Sequence, residues 1–214
     1  MIEVREYLAA DGTSPYAKWF DSLNAQAAAK AATAVTRMAQ GNLSNAKSVG
    51  AGVQEYRIDF GPGYRIYFGR DGDRLVILLA GGTKKRQQDD IRHAQELWTD
   101  YRRRSKKAGK MPLTRDFKET IRERARRDAA FREALLKEAV DVLLSGDVET
   151  GKIVLRDYIN ATVGFAKLAT VTKKSPKSLM RMLGPKGNPQ ARNFFEIVAY
   201  LQKKEGLRLK VRAI

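Results

Sequence analysis

Apolar and polar residues alternate along Ile2-Glu3-Val4-Arg5-Glu6-Tyr7-Leu8, which predicts a half-buried strand closed by a turn at Asp11-Gly12. Ser14-Pro15 reads as an N-cap followed by a first-turn proline, opening a helix through Trp19, Phe20 and Leu23. The alanine-rich stretch from Ala25 to Met38 predicts a second helix, stopped by Gly41-Asn42. Three strand-like runs follow, Val53–Phe60, Tyr64–Phe68 and Leu75–Leu79. The tight turns Gly61-Pro62-Gly63 and Asp71-Gly72-Asp73 join them, predicting an antiparallel meander. A closing helix from Gln87 to Tyr101 places Ile91, Ala94, Leu97 and Trp98 on one face.

Beyond residue 110 only helical spacing appears. Asp116–Arg127, Ala129–Leu144 and Glu149–Ala161 repeat apolar residues every three or four positions. Two short helical pieces, Phe165–Thr172 and Pro176–Leu183, flank Lys173-Lys174-Ser175, and a last helix runs from about Gln190 to Lys204. The predicted fold is an α/β (α+β) domain with an antiparallel sheet and helices, followed by an all-α domain. The division falls at Arg102-Arg103-Arg104-Ser105-Lys106-Lys107-Ala108-Gly109-Lys110, which holds no apolar residue larger than alanine. Residues 1–104 and 111–214 then form the two domains, with 105–110 a basic linker. Met111 reads as a former start codon, and Pro112 and Pro176 as first-turn helix prolines.

The 214 residues contain no cysteine and one histidine, which excludes disulfides, thiolate metal sites and His-rich metal or His-pair mechanisms. No apolar run approaches the roughly 18 residues of a membrane span, and the charged N-terminus does not resemble a signal peptide. The expectation is a cytoplasmic protein, without membrane partner, cofactor or metal. The net charge of +17 points to polyanions. Residues 1–110 carry 19 basic and 12 acidic side chains, residues 111–150 carry 8 and 9, and residues 151–214 carry 14 and 3. Two basic regions therefore flank a near-neutral one, which implies two polyanion-facing surfaces.

In the C-terminal region Leu168, Ala169, Leu179, Met182 and Leu183 would face inward, in the pattern of a helix-turn-helix at about 164–184. Ser175, Lys177, Ser178 and Arg181 then fall on the outer side, with Lys174 and Lys186 beside them. Arg181 suits guanine, and the lysines and serines suit phosphates. A plain helical hairpin with a solvated basic face has the same spacing. In the N-terminal region Arg57 and Arg65 sit on neighbouring strands, and Lys84, Lys85 and Arg86 come where the last strand ends. Alternation puts Glu55, Arg57 and Asp59 on one face. Converging cations of this kind stabilise a phosphodiester transition state, and Tyr64 or Tyr67 could stack a splayed base. A basic sheet edge paired to carboxylates would look the same. His93 is a candidate RNA contact that also reads as a surface residue. Trp19 and Trp98 read as core anchors.

Two resemblances sharpen this. Thr162-Val163-Gly164-Phe165 and Ser178-Leu179-Met180-Arg181-Met182-Leu183-Gly184-Pro185-Lys186-Gly187-Asn188-Pro189 closely resemble the HigA-like antidote proteins of addiction modules, with similarity from about 115 to 210. Lys173 departs from the glycine common at the turn of the wider class. Tyr16-Ala17-Lys18-Trp19-Phe20-Asp21-Ser22-Leu23, Gly41-Asn42, the Glu55–Tyr67 run and Gly81-Gly82 to Ile91 resemble the RelE/HigB-type killer proteins over nearly all of residues 1–100. That resemblance implies a metal-free, ribosome-dependent mRNA endoribonuclease, with Arg57, Arg65, Lys84 and Lys85 as catalytic candidates. Tyr64, Tyr67, Arg86 and His93 are the RNA-binding candidates. Asp59 stands where some relatives carry lysine, and no tyrosine lies near Asp90, which leaves the general acid and base open. The antidote resemblance implies masking of the toxin within or between chains, and operator binding by a homodimer through Lys174, Ser175, Lys177, Ser178, Arg181 and Lys186. The same toxin fold hosts ParE-type gyrase poisons. A repressor carrying an inactive toxin, and non-specific nucleic-acid binding, also fit the sequence.

Overall fold

The computed structural model describes residues 2–72, 75–106 and 113–210. It divides into two compact units, Met1–Thr120 and Ile121–Ile214. Among the described residues no helix is long and apolar enough to cross a membrane.

The first unit is a six-stranded sheet with helices on both faces. Strand β1 (Glu3–Tyr7) leads into α1 (Pro15–Ser22) and α2 (Ala25–Ala39). Strands β2 (Ala46–Gly50), β3 (Val53–Ile58), β4 (Tyr64–Asp71) and β5 (Leu75–Thr83) follow, then α3 (Gln87–Lys106) and a short β6 (Thr114–Asp116). The sheet order is β2-β3-β4-β5-β1-β6. Ser14 caps α1 through Ala17 N–H at 3.0 Å with Pro15 in its first turn, and Asn24 caps α2 through Ala27 N–H at 2.9 Å. The helix starts thus arise from the residues that mark them in the sequence.

Strands β3 to β5 form the expected antiparallel meander, which β2 extends at its edge, but β1 runs parallel to β5, so the sheet is mixed. A strand of this length has no directional mark in its sequence. Its direction follows from the crossover through the intervening elements. Two further strands lack a hydrophobic alternation. β2 is an edge strand held by main-chain pairing to β3 with most of its side chains exposed, and β6 pairs antiparallel with β1. The third residue of the predicted Asp71-Gly72-Asp73 turn, and Pro112, lie outside the described residues.

One face of the sheet packs Tyr7, Val53, Tyr67, Ile77 and Leu79 against Ala94, Trp98 and Tyr101 of α3. A Cβ on Gly69 would lie 2.5 Å from Trp98, and one on Gly81 would lie 2.0 Å from Trp19. Both tryptophans therefore lie flat on the sheet at glycines, Trp98 from α3 and Trp19 from α1 on the opposite face. Trp98 is buried and Trp19 half-buried.

Helix α3 continues five residues beyond Tyr101, through Arg102 to Lys106. The basic run expected to bury almost nothing and to read as a linker is therefore partly helix. Arg104 donates to Leu8 O at 2.8 Å and to the Tyr7 hydroxyl at 3.2 Å, with its guanidinium over the Tyr7 ring. Residues 107–110 of the expected linker lie outside the described residues. The division between compact units falls at 120/121, later than the break in composition, because 114–116 complete the sheet.

The second unit is helical throughout. Helix α4 (Phe117–Arg127) runs through the division, and α5 (Ala129–Leu144), α6 (Val148–Ala161), α7 (Gly164–Thr172), α8 (Pro176–Met182) and α9 (Ala191–Glu205) follow it. Asp128 and Asp147 cap α5 and α6, accepting from Phe131 N–H at 3.0 Å and Thr150 N–H at 3.4 Å. Phe131, Leu135, Leu136, Leu155, Tyr158, Leu168, Leu179, Leu183 and Leu201 are buried in it. Tyr158 donates to Glu205 Oε1 at 2.8 Å and Arg132 to Glu205 Oε2 at 3.2 Å, tying α5 and α6 to the end of α9.

Candidate functional site

The β3–β4 hairpin sets the geometry of the first unit's site. Its register pairs Glu55 with Tyr67 and Arg57 with Arg65, and strand alternation turns all four side chains toward the face that carries α3. Arg57 is exposed, with Nε 2.6 Å from Asp59 Oδ1, and this hydrogen bond raises its basicity further. Arg65 is buried. Its Nη1 donates to Gly63 O at 3.2 Å and its Nε lies 3.5 Å from Glu55 Oε1. Glu55, itself buried, also accepts from Gln87 Nε2 at 2.8 Å and lies 3.1 Å from Lys47 Nζ. Arg65, expected to face substrate, is therefore the floor of the site, held there by a carboxylate.

The exit of β5 brings further cations to this floor. Lys84, Lys85 and Arg86 form a one-turn 3-10 helix and are all exposed. Lys84 N–H donates to Gly63 O at 3.2 Å, anchoring the turn to the β3–β4 hairpin. Tyr64, half-buried, meets Trp19 edge to face at 6.5 Å between centroids. Tyr67 was expected as a stacking platform, but its ring is fully buried in the core and cannot receive a base. Burial raises its phenol pKa well above the usual value. His93 is exposed on α3, with Nδ1 3.9 Å from Glu96.

Asp90, in the first turn of α3, completes the site. Burial raises its carboxyl pKa, opposed by Arg86 and a hydrogen bond from Thr83 N–H. Gly82 leaves the space it occupies, since a Cβ there would lie 2.0 Å from Asp90 Oδ2. Asp90 Oδ2, Tyr67 OH and Arg65 Nε are all buried and find no hydrogen-bond partner among the described residues. Exposed Arg57, Lys84, Lys85 and Arg86 thus lie on the segments bordering a polar floor of buried Glu55, Arg65 and Tyr67 and half-buried Asp90. Such an arrangement can hold a phosphodiester and accept a proton beside it. Neither Glu55 as an anchor nor Asp90 as a carboxyl in the floor was singled out from sequence. The adjacent glycines Gly81-Gly82 were the available signal, because they mark close approach on both faces of the strand. Among the described residues, no group of three metal-ligating side chains is present.

Residues 18–99 match the family model described as phage derived protein Gp49-like (DUF891), a RelE/toxin-like family associated with toxins of toxin–antitoxin modules. An uncharacterized protein of Haemophilus influenzae is 42% identical over 86 residues, covering 40% of this chain and 87% of the relative. The chain belongs to the Gp49-like family. No solved structure matches it. The Gp49-like segment contains every residue of the site from Lys47 through Asp90.

In the second unit, α7 and α8 form the expected pair of short helices. Lys173, at the turn between them, is left-handed with φ 54 and ψ 35, the conformation that glycine adopts without strain. Ser175 caps α8 through Ser178 N–H at 3.1 Å. Leu168, Ala169, Leu179 and Leu183 are buried, while Met182, expected inside, is only half-buried near the end of the short α8. Ser175, Lys177, Arg181 and Lys186 are exposed and Ser178 is half-buried. Lys174 Nζ lies 3.3 Å from Glu196 Oε2, so its charge is partly spent within the unit.

Proposed function

We propose that this chain joins a toxin and its antidote, the Gp49-like unit being a ribosome-dependent mRNA endoribonuclease. The observation that carries this reading is the set of exposed cations Arg57, Lys84, Lys85 and Arg86 on the segments bordering the Glu55–Arg65–Asp90 floor, inside a family of toxin-like proteins. The 2′ oxygen of the cut nucleotide bonds to phosphorus as the bond to the 5′ oxygen breaks, and the 2′-hydroxyl proton ends on that 5′ oxygen. The cations stabilise negative charge on the phosphoryl oxygens, and Asp90 is the carboxylate placed to take the proton; Tyr64, on the opposite face of the sheet against Trp19, takes no part. Arg65 acts by fixing Glu55 and the hairpin.

The helical unit serves as antidote and operator-binding repressor in this reading. It presents Ser175, Lys177, Arg181 and Lys186 to DNA, with two chains on a palindrome. Covalent joining raises the antidote's effective concentration to about the millimolar range, so the intact chain is expected to be non-toxic.

The test is induction of residues 1–106 beside the full chain, with in-cell mapping of mRNA 5′ ends and Arg57→Ala as control. New cuts inside translated codons, lost in Arg57→Ala, support the nuclease. Arrest without cuts but with altered DNA supercoiling identifies a gyrase poison instead, and no arrest leaves a repressor with an inactive toxin.

A further inference from the structure

Strand β6 follows Met111, in the region that resembles an antidote, yet it belongs to the compact unit of the toxin-like sheet. Its register with β1 pairs Arg5 with Asp116, Glu6 with Arg115 and Tyr7 with Thr114, and Leu8 N–H donates to Leu113 O at 2.8 Å. Arg5 donates to Thr114 through both Oγ1 and the carbonyl, each at 3.3 Å. Leu113 packs beside the cluster of Tyr7, Trp98 and Tyr101. Phe117, the first residue of α4, is buried.

The centre of this contact is polar and closed. Glu6 has no solvent exposure, and Arg115 Nε donates to its Oε2 at 3.0 Å. Arg115 Nη2 donates to Thr120 Oγ1 at 2.7 Å, and Thr120 is buried. Burial pushes the Glu6 carboxyl pKa up, opposed by hydrogen bonds to Thr120 and Ser14 and by the Arg115 charge. A toxin-like sheet ending at β1 would leave both a strand edge and a buried carboxylate without the partners that residues 113–120 supply. Open edges and unpaired buried charges are each costly, so this edge is built to receive a strand carrying arginine opposite Glu6.

We propose that residues 113–120 are a docking hook by which the antidote half grips the β1 edge of the toxin half, independently of the peptide link between them. The proposal rests on the reading of the residues after Met111 as the antidote half. Main-chain pairing supplies affinity and the Arg115–Glu6–Thr120 set supplies register, as in other strand-addition contacts. The hook lies at the opposite edge of the sheet from β2 and β3, so its grip is separate from the Arg57 site.

The test uses the full chain with a sequence-specific protease site inserted between Ala108 and Gly109, cut under native conditions and passed over a sizing column. The two fragments are expected to elute together, and to separate in Arg115→Glu, which sets a second carboxylate against Glu6. Separation in the parent chain, or continued co-elution in Arg115→Glu, overturns the hook. Should uncut Arg115→Glu fail to fold, Arg115→Met keeps the stem without the charge. In that uncut variant the Leu8 amide is expected to exchange about tenfold faster than in the parent, and unchanged exchange overturns the proposal. Neither measurement reads growth or mRNA, so failure of the nuclease reading leaves this result standing, and the reverse holds as well.

Discussion

Arg57 and Arg65 are register partners across β3 and β4 and share one face, yet the side chain of Arg57 is 61% exposed and that of Arg65 is 8% exposed. Their substitution should separate chemistry from stability. Arg57→Ala is expected to stay within about 0.5 kcal/mol of the parent in urea denaturation, as exposed substitutions do. Arg65→Ala removes a buried partner of Glu55 and is expected to cost about 3 kcal/mol. Both should lose mRNA cutting, so equal stability with unequal cutting would contradict the division of roles.

Gly82 and Asp90 give a second, finer test. Ala at position 82 needs the space that the Asp90 carboxylate fills, so the carboxylate must rotate away and the Asp90 Cβ, 3.2 Å off, must give by a few tenths of an ångström. Gly82→Ala is therefore expected to fold while displacing the carboxylate, lowering mRNA cleavage about a hundredfold if Asp90 takes the proton. Asp89→Asn, on the exposed neighbour that lies 3.5 Å from Arg92, should leave cleavage unchanged. Cleavage at the parent rate in Gly82→Ala would remove Asp90 from the chemistry.

Lys173 occupies a left-handed conformation without being glycine. Lys173→Gly is expected to stabilise the helical unit by about 1 kcal/mol, since the left-handed region penalises a Cβ by about that much. A thermal melt of the full chain, followed by helical ellipticity, reads this shift. A lowered melting temperature would mean that the lysine side chain contributes more than its strain costs.

Asp100 should shape the acid limb of stability. The Tyr7 hydroxyl donates to it, and with Arg103 and Arg104 this holds its carboxyl below the usual value against partial burial. A lowered native pKa stabilises the fold above the unfolded value of about 3.9, and the benefit is lost as pH falls through the native pKa. Glu6 has the opposite sign: its raised pKa makes its contribution less favourable as pH rises. Asp100→Asn is thus expected to flatten the decline in urea midpoint below about pH 4, the range where Asp100 titrates. An unchanged acid limb would assign that decline to other carboxylates.

Much of this was legible in one dimension. Ser14-Pro15 announces a helix start because a cap acts within three residues. The β3–β4 hairpin follows from Gly61 and Gly63, both at positive φ, between two apolar runs. The face shared by Glu55, Arg57 and Asp59 follows from strand period alone, and the exposed basic turn at 84–86 from its charges. Tyr67 and Arg65 could not be placed this way. A period of two sets the face of a side chain, but whether that face is open or covered depends on where α3 crosses it.

The sequence by itself determined the local elements, the position of the cationic residues and the helical character of the second half, because caps, turns and apolar periods act over a few residues. Only the tertiary structure decided the parallel pairing of β1 with β5, the burial of Arg65 and Tyr67, the Gly82–Asp90 approach, and the pairing of Arg115 with Glu6 across 109 positions. Those relationships join groups far apart along the chain. Their energies come from excluding water around particular partners, which no short stretch of residues encodes.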